Sequence, residues 1–178
     1  MKAMILAAGR GERLRPLTDT VPKPMVEVNK QPLIVYHIKR LAKMGITDIV
    51  INHAWLGDKL VAFLGDGQRY GVKIQYSAES IALETGGGIK QALALLGHDP
   101  FLVLNGDVFI EGELTLPQLA PNNLAHLCWW LIHRSIRWVI LHFVKVSYRR
   151  VAMIAILIRG WRFSIPTSLM IVLMVHFL

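Results

Sequence analysis

Residues 6–25 read LAAGRGERLRPLTDTVPKPM. They follow a short apolar run, residues 3–6, that reads as a buried strand. Leu6 and two small residues, Ala7 and Ala8, lead into Gly9 and Gly11, which bracket Arg10; Arg13 and Arg15 come next. A polar turn and Pro22-Lys23-Pro24 close the stretch, leaving the Lys23 backbone little freedom between two prolines. A strand running into a glycine-bearing basic loop is what a polyphosphate site requires. Glycine lets backbone N–H groups approach phosphate oxygens, and arginine supplies forked donors and charge. Two glycines alone equally mark an ordinary tight turn. The loop is no Walker motif, since no G-K-[ST] follows, and no third glycine stands where a dinucleotide fingerprint needs one.

The sequence then alternates between strand and helix patterns. Residues 31–44 (QPLIVYHIKRLAKM) place Leu33, Ile34, His37/Ile38, Leu41 and Met44 at a helical period with Lys39, Arg40 and Lys43 on the outer face, and Gly45 ends it. His37 reads as an ordinary histidine of the helix surface. Residues 48–52 (DIVIN) predict a second buried strand, 56–64 a short helix and 72–76 (VKIQY) a third strand. Residues 87–96 predict a helix and 101–104 (FLVL) a fourth strand. This order predicts an α/β fold: a Rossmann-like, doubly wound, mostly parallel sheet covered on both faces. Ligands of such sheets bind beyond the carboxyl ends of the strands. Three distinctive stretches fall there: the opening loop, residues 79–88 (ESIALETGGG), and Asn105-Gly106-Asp107. The glycines of the second permit close approach of a flat base or of phosphates; a flexible loop before a weakened helix start would read the same. A carboxylate at a strand end beside a polyphosphate site suits Mg²⁺, although N-G and G-D are also turn dipeptides.

Taken whole, L-A-A-G-x-G-x-R-L-x-P-L-T followed by P-K-P-M resembles the signature of the sugar nucleotidyltransferases, the nucleoside-diphosphate-sugar pyrophosphorylases. The resemblance covers about residues 1–125 and implies transfer of a nucleoside monophosphate to a sugar 1-phosphate with release of pyrophosphate. Leu83, Glu84, Thr85, Gly86 and Gly87 match the family stretch that cradles base and sugar, and Asp107 its metal-binding aspartate. By that resemblance the catalytic roles fall to Arg13 (β- and γ-phosphates), Lys23 (α-phosphate and sugar phosphate) and Asp107 (Mg²⁺). Nucleotide contacts fall to Leu6, Ala7, Ala8, Gly9, Arg10, Gly11, Lys23, Glu79, Thr85, Gly86, Gly87 and Asn105. Within the family, L-E-T-G-G-G-I and F-L-V-L-N-G-D resemble the uridylyltransferases that join UTP to N-acetylmuramic acid 1-phosphate in bacterial cell-wall recycling. The resemblance leaves two alternatives open: a mannose-1-phosphate guanylyltransferase, as similar short proteins are often labelled, or a glucose-1-phosphate thymidylyl- or uridylyltransferase.

Composition divides the chain near residue 125. Its 178 residues carry a net charge of +8, which invites a nucleic-acid or membrane reading. All 12 acidic residues lie at or before Glu113, where 13 basic residues nearly balance them; no nucleic-acid partner, and no membrane partner for this core, is expected. The other 7 basic residues (Arg134, Arg137, Lys145, Arg149, Arg150, Arg159 and Arg162) stand in an acid-free tail with four of the five tryptophans. Three readings of residues 126–178 stay open: a membrane-seeking basic–aromatic segment, a divergent second half, or a frameshifted form of the family's usual continuation. Back-translating residues 138–143 and reading from the third codon base allows G-D-F-A-L; residues 158–166 in the same frame allow S-G-V-A-V-F-H-P. Both resemble family sequence. The family's second metal-binding aspartate has no counterpart beyond Glu113, and β-edges that later strands would cover are expected to stay open. One cysteine, Cys128, and an opening without a secretory pattern lead to the expectation of a reducing, cytoplasmic setting.

Overall fold

The computed structural model describes residues 1–110, Leu114 and Leu116, and three later strands as backbone. β1 (Lys2–Leu6), β4 (Asp48–His53), β5 (Lys73–Ala78) and β6 (Phe101–Asn105) form the parallel part of the sheet, in the order β5-β4-β1-β6. β1 pairs in parallel with β4 on one side and β6 on the other, so the strand order reverses about β1. A two-residue ribbon, β2 (Glu27–Val28) and β3 (Gln31–Pro32), precedes α1 (Leu33–Lys43). Its turn holds Asn29 and Lys30 in the left-handed region, a signal the helical pattern of residues 31–44 concealed.

The two-residue alternation of the strands sends their side chains into two cores. Ala3, Ile5, Ile49, Ile51, Leu102 and Leu104 face Ile34, Ile38 and Leu41 of α1 and Leu60 and Leu64 of α2 (Gly57–Leu64). Met4, Val50, Phe101 and Val103 face Ile89, Ala92 and Leu96 of α3 (Glu84–Leu96) on the other side. The doubly wound α/β arrangement expected from the sequence is therefore present. α3 starts three residues earlier than its pattern suggests and carries all three glycines in its opening turns.

From the tail, β7 (Ala125–Trp130), β8 (Val139–Val144) and β9 (Ile171–Val175) extend the sheet antiparallel, in the order β6-β9-β7-β8. The expectation of an open edge at β6 is thus corrected: β9, an unbroken apolar pentapeptide, pairs with it from Phe101 to Leu104. The seven basic residues of the tail and the back-translated stretch 158–166 lie outside the described residues.

Candidate active site

The carboxyl ends of β1, β4 and β6 open into one cleft of about 260 Å³. Leu6, Ala7, Ala8 and Gly9 line it from the first loop, Lys23 and Pro24 from the proline-flanked turn, and Asn52 from β4. Ala82, Glu84 and Thr85 come from the loop entering α3, and Asn105 and Asp107 from the end of β6. It lies at the point where the strand order reverses, where this architecture places ligands.

Each wall has a local cause. The first loop leaves β1 and turns at Gly11, whose φ of +72° favours glycine. A Cβ there would stand 3.1 Å from the Cβ and Cδ of Lys23, so the glycine also lets the turn lie against the lysine stem. The Thr18 hydroxyl donates to the Gly11 carbonyl at 2.9 Å, and the Trp55 indole N–H to the Thr18 carbonyl at 2.9 Å, anchoring the loop from α2's side. Gly106 N–H donates to the Leu6 carbonyl at 2.9 Å, tying the end of β6 to the end of β1. Lys23 Nζ and Asp107 Oδ2 form an ion pair across the cleft mouth, with side chains 27% and 33% exposed.

Of the residues expected to contact nucleotide, Leu6, Ala7, Ala8, Gly9, Lys23, Thr85 and Asn105 meet in this cleft, together with Asp107. Arg10, Gly11, Arg13, Glu79, Gly86 and Gly87 are outside its lining. Arg10 lies 4.3 Å over the Trp55 ring and pairs with Glu12 at 3.2 Å; Arg13 is exposed on the turn Glu12–Leu14. Glu79 is 6% exposed and bonded within the protein. Sequence reasoning passed over Asn52 and Pro24. Asn52 had a signal, an amide ending an apolar strand at the ligand-binding edge. Glu84, with φ of +60°, lies in the lining as its match to the family's cradling stretch implied.

Asp107 supplies one hard oxygen donor set at the cleft mouth, which fits a Mg²⁺ ion shared with phosphate oxygens. Among the described residues no group of three or more His, Cys, Asp or Glu gathers to hold a metal by itself.

The placement of His37 corrects the sequence reading. It is 2% exposed, packed beneath the chain that follows Asp107, not on the helix surface. Arg40, one turn on, donates to the Ile110 carbonyl at 2.7 Å, and Tyr36 meets Phe109 edge to face at 5.2 Å. α1 therefore carries the chain after Asp107 on the flank formed by Tyr36, His37 and Arg40, so Arg40 does not stand on the outer face as its charge suggested. Burial lowers the His37 pKa from 6.5 to about 4; a backbone hydrogen bond at Val108 and the charge of Asp107 oppose the shift, and Arg40 adds to it. The unfolded chain takes up a proton below about pH 6.5 that the folded one refuses until about pH 4. Stability should therefore fall as pH drops through that window, by up to about 3 kcal/mol. Urea midpoints from pH 7 to pH 4.5 should show a shallower acid limb in His37→Leu; equal limbs would mean that His37 titrates normally.

A family profile described as "Nucleotidyl transferase" matches residues 2–121. The chain belongs to the nucleotidyl transferase family. It is 56% identical over 138 residues to the N-acetylmuramate alpha-1-phosphate uridylyltransferase of Neisseria meningitidis serogroup B, a match covering 74% of this chain and 59% of that one. It is 46% identical over 129 residues to the mannose-1-phosphate guanyltransferase of Aspergillus fumigatus, covering 71% of this chain and 35% of the other. The chain thus spans about three fifths or less of these relatives. Among solved structures it resembles the CTP:phosphocholine cytidylyltransferase of Streptococcus pneumoniae (TM-score 0.54, 27% identity, 80% of this chain and 64% of that one). It also resembles HddC of Yersinia pseudotuberculosis, complexed with GMP-PN (TM-score 0.55, 29% identity, 61% and 48%). Nucleotidyltransferases are thus its relatives in both sequence and fold. Among the described residues no helix is long and apolar enough to cross a membrane.

Proposed function

We propose that this chain binds a nucleoside triphosphate in the cleft and joins its nucleoside monophosphate to a sugar 1-phosphate, releasing pyrophosphate. The observation that carries this reading is the convergence of Lys23 and Asp107 on a cleft whose other wall is the Ala7–Ala8–Gly9 backbone. An oxygen of the sugar phosphate attacks the α-phosphorus; the new P–O bond forms as the bond to the α–β bridging oxygen breaks, and that electron pair leaves with pyrophosphate. Such a transfer asks the protein for positioning and charge neutralisation more than for covalent chemistry. Lys23 Nζ holds the α-phosphate and the incoming phosphate close together. Ala8 and Gly9, which line the cleft, bring backbone close to base, ribose and phosphates. Arg13, exposed on the turn Glu12–Leu14 beside the cleft loop, is the residue assigned to the β- and γ-phosphates. Asp107 would hold Mg²⁺, which when bound would supply further neutralisation of the phosphate charge.

The favoured substrates are UTP and N-acetylmuramic acid 1-phosphate, in cell-wall sugar recycling in the cytoplasm. The identity to the Neisseria relative and the L-E-T-G-G-G-I and F-L-V-L-N-G-D stretches support that choice. A second reading, nucleotide binding without turnover, is favoured by one feature: no acid follows Glu113 to serve as a second metal ligand. Pyrophosphate release decides between them when UTP, GTP, dTTP and CTP are each paired with N-acetylmuramic acid, mannose and glucose 1-phosphates in Mg²⁺. Release with UTP and N-acetylmuramic acid 1-phosphate above all others is the expected result. Nucleotide binding with no release for any pair would support the second reading.

A further inference from the structure

Asn52 and Glu79 form one buried polar pair behind the cleft, 2% and 6% exposed. Asn52 Oδ1 accepts the Ala7 N–H at 2.9 Å, and its Nδ2 donates to Glu79 Oε1 at 2.7 Å. Glu79 Oε2 accepts the Leu83 N–H at 2.8 Å. The amide has one orientation that suits a donor on one side and a carboxylate on the other. A Cβ on Gly88 would stand 2.7 Å from both Asn52 Nδ2 and Glu79 Oε1, so only glycine there lets α3 close over the pair. The pair thus joins the two walls of the cleft: Ala7, Ala8 and Gly9 on one side, and Ala82, Glu84 and Thr85 on the other.

We infer that the Asn52–Glu79 pair is a positioning clasp that sets the spacing of the two walls and through it the affinity for nucleotide. The inference rests on the nucleotide-binding reading of the cleft. Both oxygens of Glu79 are engaged within the protein, which suits a residue that holds loops and not one that meets the base.

The pair's polarity supplies the test, because every exchange below is nearly isosteric. Asn52→Asp keeps the Ala7 bond and sets a second carboxylate against Glu79. Glu79→Gln keeps one bond, but an amide cannot accept from both Asn52 and Leu83, so one buried donor loses its partner. Asn52→Asp combined with Glu79→Gln restores all three bonds with the amide and carboxylate exchanged. UTP binding with Mg²⁺, measured by calorimetry on the full chain, should weaken roughly tenfold or more in each single variant. It should return to within about threefold of the parent in the double variant, a coupling expected of residues in one network. Affinities within twofold of the parent in both single variants, whatever their melting temperatures, would overturn the inference, as would a double variant no better than the singles. If the single variants do not fold, the double variant decides: folded and binding UTP, it supports the clasp; unfolded, it overturns it. A parent that binds none of UTP, GTP, dTTP and CTP would refute the nucleotide reading alone. Hydrogen exchange at the Ala7 and Leu83 amides then judges the clasp, with protection lost in the singles and regained in the double as the supporting pattern and unchanged protection as the refuting one.

Discussion

Lys23→Ala is expected to lower the rate of pyrophosphate release by roughly 100- to 1000-fold, the scale of losing one preorganised donor to a developing phosphoryl charge. The fold should survive. Lys23 Nζ pairs with Asp107, but both side chains are about a third exposed, and such a pair contributes roughly 1 kcal/mol or less. The turn that carries the lysine is held by other means: Pro22 and Pro24 are buried, and Met25 N–H donates to the Pro22 carbonyl at 2.8 Å. A large loss of rate at nearly unchanged melting temperature would therefore belong to the chemistry and not to folding. Near-normal turnover in Lys23→Ala would remove the lysine from the reaction and leave positioning of the phosphates to other groups of the cleft.

Much of this architecture was legible because local and global signals agree. The strands are short, apolar and bounded by glycine or polar residues, and their two-residue alternation divides cleanly between the two cores: Ile5 and Ile51 face α1, Met4 and Val50 face α3. The loops at the carboxyl ends could be placed for the same reason, since the strand–helix order fixes which ends gather. The side-chain arrangement was less legible. His37 lies on a helix whose outward residues are charged, and nothing in a 3.6-residue period says that the chain after β6 folds back over it. The family resemblance assigns Glu79 to the nucleotide; its partners within the protein, Asn52 and the Leu83 amide, are brought to it by parallel pairing of β4 with β5 and by a turn, which sequence spacing does not encode. The acid-free tail was expected to leave the sheet edge bare. Yet any unbroken apolar run such as Ile171–Val175 can satisfy an exposed strand edge, whatever its origin.

Asp107→Ala should act differently from Lys23→Ala, and the contrast tests whether the two partners have separate roles. In the structure they neutralise each other across the cleft mouth. With a triphosphate present, Lys23 would have phosphate oxygens to turn to, which would free the Asp107 carboxylate to hold Mg²⁺. Removing Asp107 takes away the carboxylate that would hold Mg²⁺ beside the phosphates, and among the described residues no group of three or more His, Cys, Asp or Glu gathers to replace it. The rate at about 1 mM Mg²⁺ should fall roughly 100-fold or more, comparable with other losses of transition-state charge stabilisation. Part of it should return as Mg²⁺ is raised, because mass action replaces the missing ligand's share of binding. Lys23→Ala should show no such recovery, since added metal cannot stand in for a positioned ammonium. Rate against Mg²⁺ concentration for the two variants and the parent makes the comparison. A parent-like Mg²⁺ dependence in Asp107→Ala would strip the aspartate of its metal role. Its remaining task would be that of a counter-ion holding Lys23 in place, and the two losses would then fail to add in the double variant.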